Sequence, residues 1–310
     1  MHKERVHEMI KKFTNLIRNP GIIFLFLGGR GLFKWMDDET YLKIAYKLSI
    51  GRKLDLKNPR TYTEKLQWLK LHDRKNIYTT MVDKYDVKKY VSDIIGDEYI
   101  IPTLGIWNNF DEIDFDKLPD KFVLKCTHDS GGIIICENKY LLDKKKIKNK
   151  IEKCLNKEYF WQGREWPYKN VKPRIIAEKY MVDKKTRELR DYKFFCFNGK
   201  PKMVFVASDR QNKSEDTKFD FFDMDYRNLH IRNGHNNADV EPEKPKNFNK
   251  MKELAAKLSK GIPQLRVDFY EVNEKVYFGE LTFFHHSGFV PFEPEKWDYL
   301  LGELTDVYNI

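Results

Sequence analysis

Nineteen residues near the end of the chain, LRVDFYEVNEKVYFGELTF (265–283), constrain its fold more than any other stretch. Two alternating runs flank a short polar turn, the pattern of a half-buried β-hairpin. A three-residue loop of Asn273, Glu274 and Lys275 sets Val272 opposite Val276 and Asp268 opposite Glu280. Alternation then puts Arg266, Asp268, Glu280 and Thr282 on one face. Leu265, Val267, Phe269, Leu281 and Phe283 take the other, a core face. Two facing carboxylates repel. A divalent cation such as Mg²⁺, held by hard oxygens, offsets them; so does Arg266 with nearby lysines, and the pattern leaves both open.

The remaining elements predict an α+β chain built on antiparallel hairpins, with few βαβ signatures. Asn198-Gly199 folds a second hairpin over residues 191–209. Residues 122–126, 133–136, 174–181 and 219–225 read as strands, and Ile100, Ile101 and Pro102 as a short strand ended by a breaker. Thr61 and Glu64 form a T-x-x-E capping box before Leu66, Trp68, Leu69 and Leu71, opening a helical block that runs to about Val91. Residues 144–155 and 247–260 have helical spacing, and a last helix begins near Pro294.

At 310 residues with 41% apolar content, the chain is globular, suits about two domains, and is neither collagen-like nor low-complexity. Its 57 basic against 47 acidic residues (net +10) favour an anionic partner. No zinc-finger spacing, RNP-like motif or basic heptad region occurs, so the lysines, dense only at 144–150 and 184–190, read as solvated surface and no nucleic-acid partner is expected. Cys126, Cys136, Cys154 and Cys196 show no C-x-x-C spacing, which fits free thiols in a reducing cytoplasm. The apolar run at 22–27 is six residues, too short for a membrane span and without a cleavage signature. Val6, Met9, Ile10, Phe13 and Ile17 repeat at helical spacing among Lys3, Arg5, Lys11, Lys12 and Arg18. Such a helix either docks on the body of the protein or rests on an anionic membrane, helped there by Phe24, Phe26, Phe33 and Trp35.

Two further segments carry chemistry. In FVLKCTHDSGG, Lys125 ends a buried-looking strand six residues before Gly131-Gly132. Glycine amides there can approach phosphate, or the pair can be an ordinary hairpin turn; His128 likewise reads as a turn residue or a ligand. The stretch is not a P-loop. RIIAEKYM carries a single acid, Glu178, in an apolar strand.

Taken in order, Lys84 in DKY, Lys125 before Ser-Gly-Gly, Glu178-Lys-Tyr-Met, and RVDF followed by GELT resemble the ATP-grasp fold, and within it the TupA-like group of bacterial capsule and cell-wall polysaccharide loci. NPRTYTEKLQWLKLHDR, VDKYDVKKYV and DYKFFCFNGKP support the same placement, and the resemblance spans about residues 45–290. It implies two α+β lobes clamping ATP: a small lobe at 101–180 and a large one at 181–310, after a basic helical region at 1–58 and a helical segment at 59–100.

The resemblance also implies roles. Lys84 and Lys125 contact nucleotide phosphates, and the loop from His128 through Ser130, Gly131 and Gly132 closes over them. Glu178 lies at the adenine pocket, with the backbone of Lys179 and Met181 on the base edge. Asp268 and Glu280 hold Mg²⁺, with Thr282 as a hydroxyl ligand where many relatives have Asn, and Arg266 stabilises the transferring phosphoryl group. Asp191, Lys193 and Arg210 grip acceptor or phosphates. The implied activity is a cytoplasmic, ATP- and Mg²⁺-dependent carboxylate–amine ligase working through an acyl phosphate. Its substrates are a uronic-acid or nucleotide-linked sugar carboxylate and an amine. The same apparatus serves a sugar kinase. Asp223-Met-Asp225 offers a different reading, the D-x-D of a metal-dependent glycosyltransferase, and a non-enzymatic membrane-surface or nucleic-acid binder is the third. The pair His285-His286 after GELTF fits packing and catalysis equally.

Overall fold

The computed structural model describes residues 20–129, 131–185, 189–208 and 217–309. The amphipathic pattern at 6–17, Ser130 and Arg210 lie outside the described residues.

The strands form two antiparallel sheets. The first orders β1 (Thr103–Trp107), β4 (Ile175–Lys179), β2 (Phe122–Cys126) and β3 (Ile134–Cys136) side by side. The second runs β7 (Lys218–Phe222), β6 (Lys200–Ser208), β5 (Asp191–Phe197), β8 (Leu265–Val272) and β9 (Lys275–Thr282). β1 begins after Pro102, so that breaker starts the strand which residues 100–102 were expected to form; proline has no N–H to give a ladder, and its carbonyl accepts from the Lys179 amide at 3.0 Å. Asn198 (φ 44°) and Gly199 (φ 78°) make the two-residue turn between β5 and β6 that their sequence demands.

The β8–β9 turn corrects the expected loop. It has two residues, Asn273 (φ 50°) and Glu274 (φ 64°), so Val272 faces Lys275 and not Val276. The register slips back by one at Gly279, between the partners of Phe269 and Asp268. A Cβ on Gly279 would stand 3.1 Å from the Asp268 carbonyl oxygen, so the bulge forms where no side chain is present. The two offsets cancel, and Asp268 faces Glu280 as the pattern requires.

The large core lies on the second sheet. Helix Phe248–Leu258 lays Phe248, Met251, Leu254, Ala255 and Leu258 on it, and Tyr62, Leu66, Leu69, Met81 and Val91 from the helical segment 62–95 join the same cluster. Helix Tyr62–His72 opens with the expected box: the Glu64 amide donates to Thr61 Oγ1 (3.3 Å) and the Thr61 amide to Glu64 Oε2 (3.0 Å). Helices Pro20–Gly29 and Asp38–Ile50 build a separate cluster in which the partly buried Phe24 and Phe33 stack at 4.6 Å beside Tyr41. Phe26 and Trp35 stay exposed (47% and 78%). No helix among the described residues is long and apolar enough to cross a membrane.

Candidate active site

Register places the chemistry. β5–β8 pairing sets Lys193 beside Asp268, and β8–β9 pairing sets Asp268 beside Glu280 and Arg266 beside Thr282. Arg266 donates from Nε and Nη2 to the two Asp268 oxygens (2.8 Å each), and from Nη2 to Glu280 Oε1 (2.8 Å) and Thr282 Oγ1 (2.9 Å). Lys193 Nζ bonds Asp268 Oδ2 and stands 3.5 Å from Asp191 Oδ1. Burial pushes the Glu280 carboxyl up, but Lys193, Arg266 and Lys84 outweigh it and hold the group below the usual carboxylate range. Arg266 is itself held in place from behind. Its Nη1 donates to His285 Nδ1 (2.9 Å), which leaves the proton of that ring on Nε2, 2.8 Å from Asn233 Oδ1. Burial keeps His285 neutral, so it orients the guanidinium without repelling it.

The first sheet faces this cluster with lysines. Lys125 on β2 and Lys88 on helix Asp86–Ile95 each reach one oxygen of Glu178 on β4, both at 2.5 Å. Burial raises the Glu178 acid, yet the two ammonium groups bring it down to about 2. Lys84 donates to the Asp129 carbonyl. Between the sheets opens a cavity of about 360 Å³ lined by Lys84, Lys88, Lys125, Lys193, Arg266 and Glu280. An apolar slot of about 170 Å³ continues from it along Ile101, Val123, Ile135, Met181 and Tyr270, with Glu178 and Lys179 at its edge. A third space, about 330 Å³, shares Arg266, Glu280 and His286 with the central cavity and is walled by Tyr159, Tyr168, Phe284 and Phe289.

The structure thus brings together Lys84, Lys125, Glu178, Lys179, Met181, Lys193, Arg266, Glu280 and Thr282. Five expected residues sit differently. His128 is 3% exposed, and its Nε2 lies 3.1 Å from the carbonyls of both Cys154 and Lys157, so it fastens the loop to the end of helix Lys144–Leu155 instead of closing over the cavity. The Gly132 amide donates to Asp129 Oδ1 (3.1 Å), within its own loop, and Gly131 is exposed. Asp191 is buried beneath Lys193. Asp268 is fully buried with both oxygens engaged, so the arginine–lysine solution to the facing acids is present in the structure. No group of three or more acidic, His or Cys ligands occurs among the described residues. Sequence reading missed Lys88, whose only signal is its place four residues beyond Lys84, and the apolar Ile101 and Tyr270.

The D-x-D pair is a turn. Asp223 Oδ1 accepts from the amides of Asp225 (2.9 Å) and Arg227 (2.8 Å), and Asp225 pairs with Arg227 at 2.7 Å, outside all three spaces.

Comparison with known proteins fits this architecture. The chain belongs to the TupA-like ATP-grasp family, whose sequence pattern matches residues 64–306. No curated protein sequence matches it. Among solved structures it is similar to the D-alanine–D-alanine ligase of Helicobacter pylori (14% identity, TM-score 0.44, covering 79% of this chain and 69% of that one). It is similar also to the ATP-grasp ligase PsnB complexed with minimal precursor, Mg and ADP (8%, 0.38, 71% and 57%). A third is the D-alanine–D-alanine ligase of Bacillus anthracis complexed with ATP (14%, 0.37, 66% and 53%). The cofactors of the family, ATP and Mg²⁺, fit the residues present. The slot is apolar, the cavity beside it is cationic, and the Glu280 and Thr282 oxygens are hard donors of the kind Mg²⁺ takes. Glu280 is the acid open to the cleft, its side chain 46% exposed.

Proposed function

We propose that the protein is an ATP- and Mg²⁺-dependent carboxylate–amine ligase that joins a uronic-acid sugar to an amine in capsule or cell-wall polysaccharide biosynthesis, on the cytoplasmic side. The observation that carries this reading is the continuity of the three spaces: the slot meets the central cavity at Ile101, Lys125 and Glu178, and the central cavity meets the third space at Arg266 and Glu280. Adenine lies in the slot against Ile101, Met181 and Tyr270. Because the Lys179 amide is already given to Pro102, the base edge meets the Lys179 carbonyl and the Met181 amide. Lys84, Lys88 and Lys125 neutralise the phosphates, and Glu178 keeps two of these ammonium groups aimed between phosphates.

Glu280 and Thr282 would hold Mg²⁺, joined by Asp268 once it exchanges a cation partner for the metal, and the ion would supply positive charge to the phosphates. The substrate carboxylate attacks the γ-phosphorus in line, takes the phosphoryl group and leaves ADP. Arg266, at the junction of the two cavities, stabilises the charge that builds on the transferring group and then on the acyl phosphate. No covalent enzyme nucleophile is needed.

The test is a hydroxylamine trap: MgATP, the protein and either glucuronate or galacturonate, read as hydroxamate and ADP together. Hydroxamate in step with ADP, lost in Lys125→Ala, supports the reading. ADP and sugar phosphate without hydroxamate make the protein a kinase.

A further inference from the structure

We infer that the third space is the amine site and that Glu165 is its catalytic residue, whose carboxylate seats the incoming ammonium and takes its proton. This rests on the ligase reading above. Glu165 is 7% exposed and lines the space together with Thr282, Tyr168 and Ser287, on the side of Arg266 and Glu280 away from the nucleotide slot. The local backbone is shaped to bring it there. Gly163, two residues earlier, has no side chain, and a Cβ on it would stand 2.2 Å from Ser287 Oγ and 3.2 Å from Glu165 Oε1. His286 and Ser287 both hold left-handed backbone (φ 46° and 55°), a strained arrangement for two consecutive non-glycine residues that turns the Ser287 hydroxyl toward Glu165.

The charge environment suits a base. Lys70, fully buried on helix Tyr62–His72, donates to Ser287 Oγ (2.9 Å), Ser287 O (2.8 Å) and Gln67 Oε1 (2.9 Å). Ser287 therefore separates the ammonium of Lys70 from the carboxylate of Glu165. Burial raises the Glu165 acid against the pull of Lys70 and Arg266, and burial pushes Lys70 down to about 7. A carboxyl raised above its ordinary range is a stronger base than a solvated one, which suits it to taking a proton from an ammonium group. The other groups facing the space are the phenols Tyr159 and Tyr168, the neutral imidazole of His286, and Glu280, whose carboxylate is bonded to Arg266; Arg266 is its one cation among the lining residues. With Glu280 taken up by Arg266, four aromatic rings and the Glu165 carboxylate form a receptor for a primary ammonium group.

The step balances. The ammonium gives one proton to Glu165, freeing the nitrogen lone pair. That pair attacks the acyl carbon, the bond from carbon to the phosphate oxygen breaks, and its electrons leave with phosphate, which carries off the second nitrogen proton as the amide forms.

Hydroxylamine is uncharged at neutral pH and needs no base, so it separates this role from the rest of the reaction. With MgATP and glucuronate or galacturonate, wild type and Glu165→Gln are compared using hydroxylamine and, separately, ethanolamine and alanine. The variant is expected to form hydroxamate within about threefold of wild type while amide formation falls at least a hundredfold, the span of a lost general base. Glu165→Asp, which keeps the charge, restores part of the amide rate and serves alone if Glu165→Gln does not fold. Equal loss with both nucleophiles, or no loss with either, overturns the assignment. Wild type that makes no hydroxamate sinks the ligase reading first and this inference with it.

Discussion

Asp268 and Glu280 face each other across β8 and β9, and one guanidinium, that of Arg266, bonds both. A fully buried carboxylate facing a second, half-exposed one is tolerable only while that bridge stands. Replacing Arg266 with Met leaves Lys193 as the sole cation on Asp268, and breaking such a cluster costs about 3–5 kcal/mol. Urea denaturation of Arg266→Met against wild type measures this. A loss below about 1 kcal/mol would mean that the acids are balanced elsewhere.

Glu178 gives a pH signature. Its carboxyl is held at about 2, against an ordinary value of 4.5, so its ion pairs stabilise the fold fully above pH 4.5 and the contribution disappears as pH falls toward 2. The difference is on the order of 3 kcal/mol. Glu178→Gln is therefore expected to be less stable than wild type at pH 7, with the gap closing through the window between those two values. A gap that stays constant down to pH 2 would assign the loss to packing.

How much of this was readable beforehand depends on how local each interaction is. Thr61 with Glu64, Asn198 with Gly199 and the alternation of 265–283 are decided by neighbours a few residues apart, and all three recur in the structure. The turn at Asn273-Glu274 was not legible because glutamate rarely adopts left-handed backbone, and the Gly279 bulge that compensates for it depends on a cross-strand approach. Contacts made by closing one sheet on another were invisible for the same reason. Lys88 on Glu178, His285 behind Arg266 and Lys70 near Glu165 join residues 90, 19 and 95 positions apart. The motif order pointed to Lys125, Asp268 and Glu280, but not to which side chains hold them.

The D-x-D pair separates two enzyme classes cheaply. Asp223 caps a turn and Asp225 pairs with exposed Arg227, so Asp223→Ala is expected to lose about 1 kcal/mol of stability. Asp225→Ala should lose less, as exposed pairs do. Neither change should alter ADP release. A UDP-sugar with Mn²⁺ that stabilises wild type but not Asp223→Ala would restore the glycosyltransferase reading.

His128 and Lys125 lie three residues apart on one strand and its exit, yet the structure gives them opposite duties. Lys125 lines the central cavity, whereas His128 points away from it onto the carbonyls of Cys154 and Lys157. Both of those partners are acceptors, so the ring proton sits on Nε2, and burial keeps the ring neutral. MgATP at a hundred times its dissociation constant should stabilise wild type by about 2.7 kcal/mol, a shift of several degrees in the melt. His128→Ala should melt lower than wild type without ligand but keep that shift, since it loosens the loop and leaves the phosphate groove intact. Lys125→Ala should also melt lower alone, because it leaves the buried Glu178 carboxylate with Lys88 only, but it should show little response to MgATP. If His128→Ala loses the shift as well, the loop it fastens belongs to the nucleotide site after all.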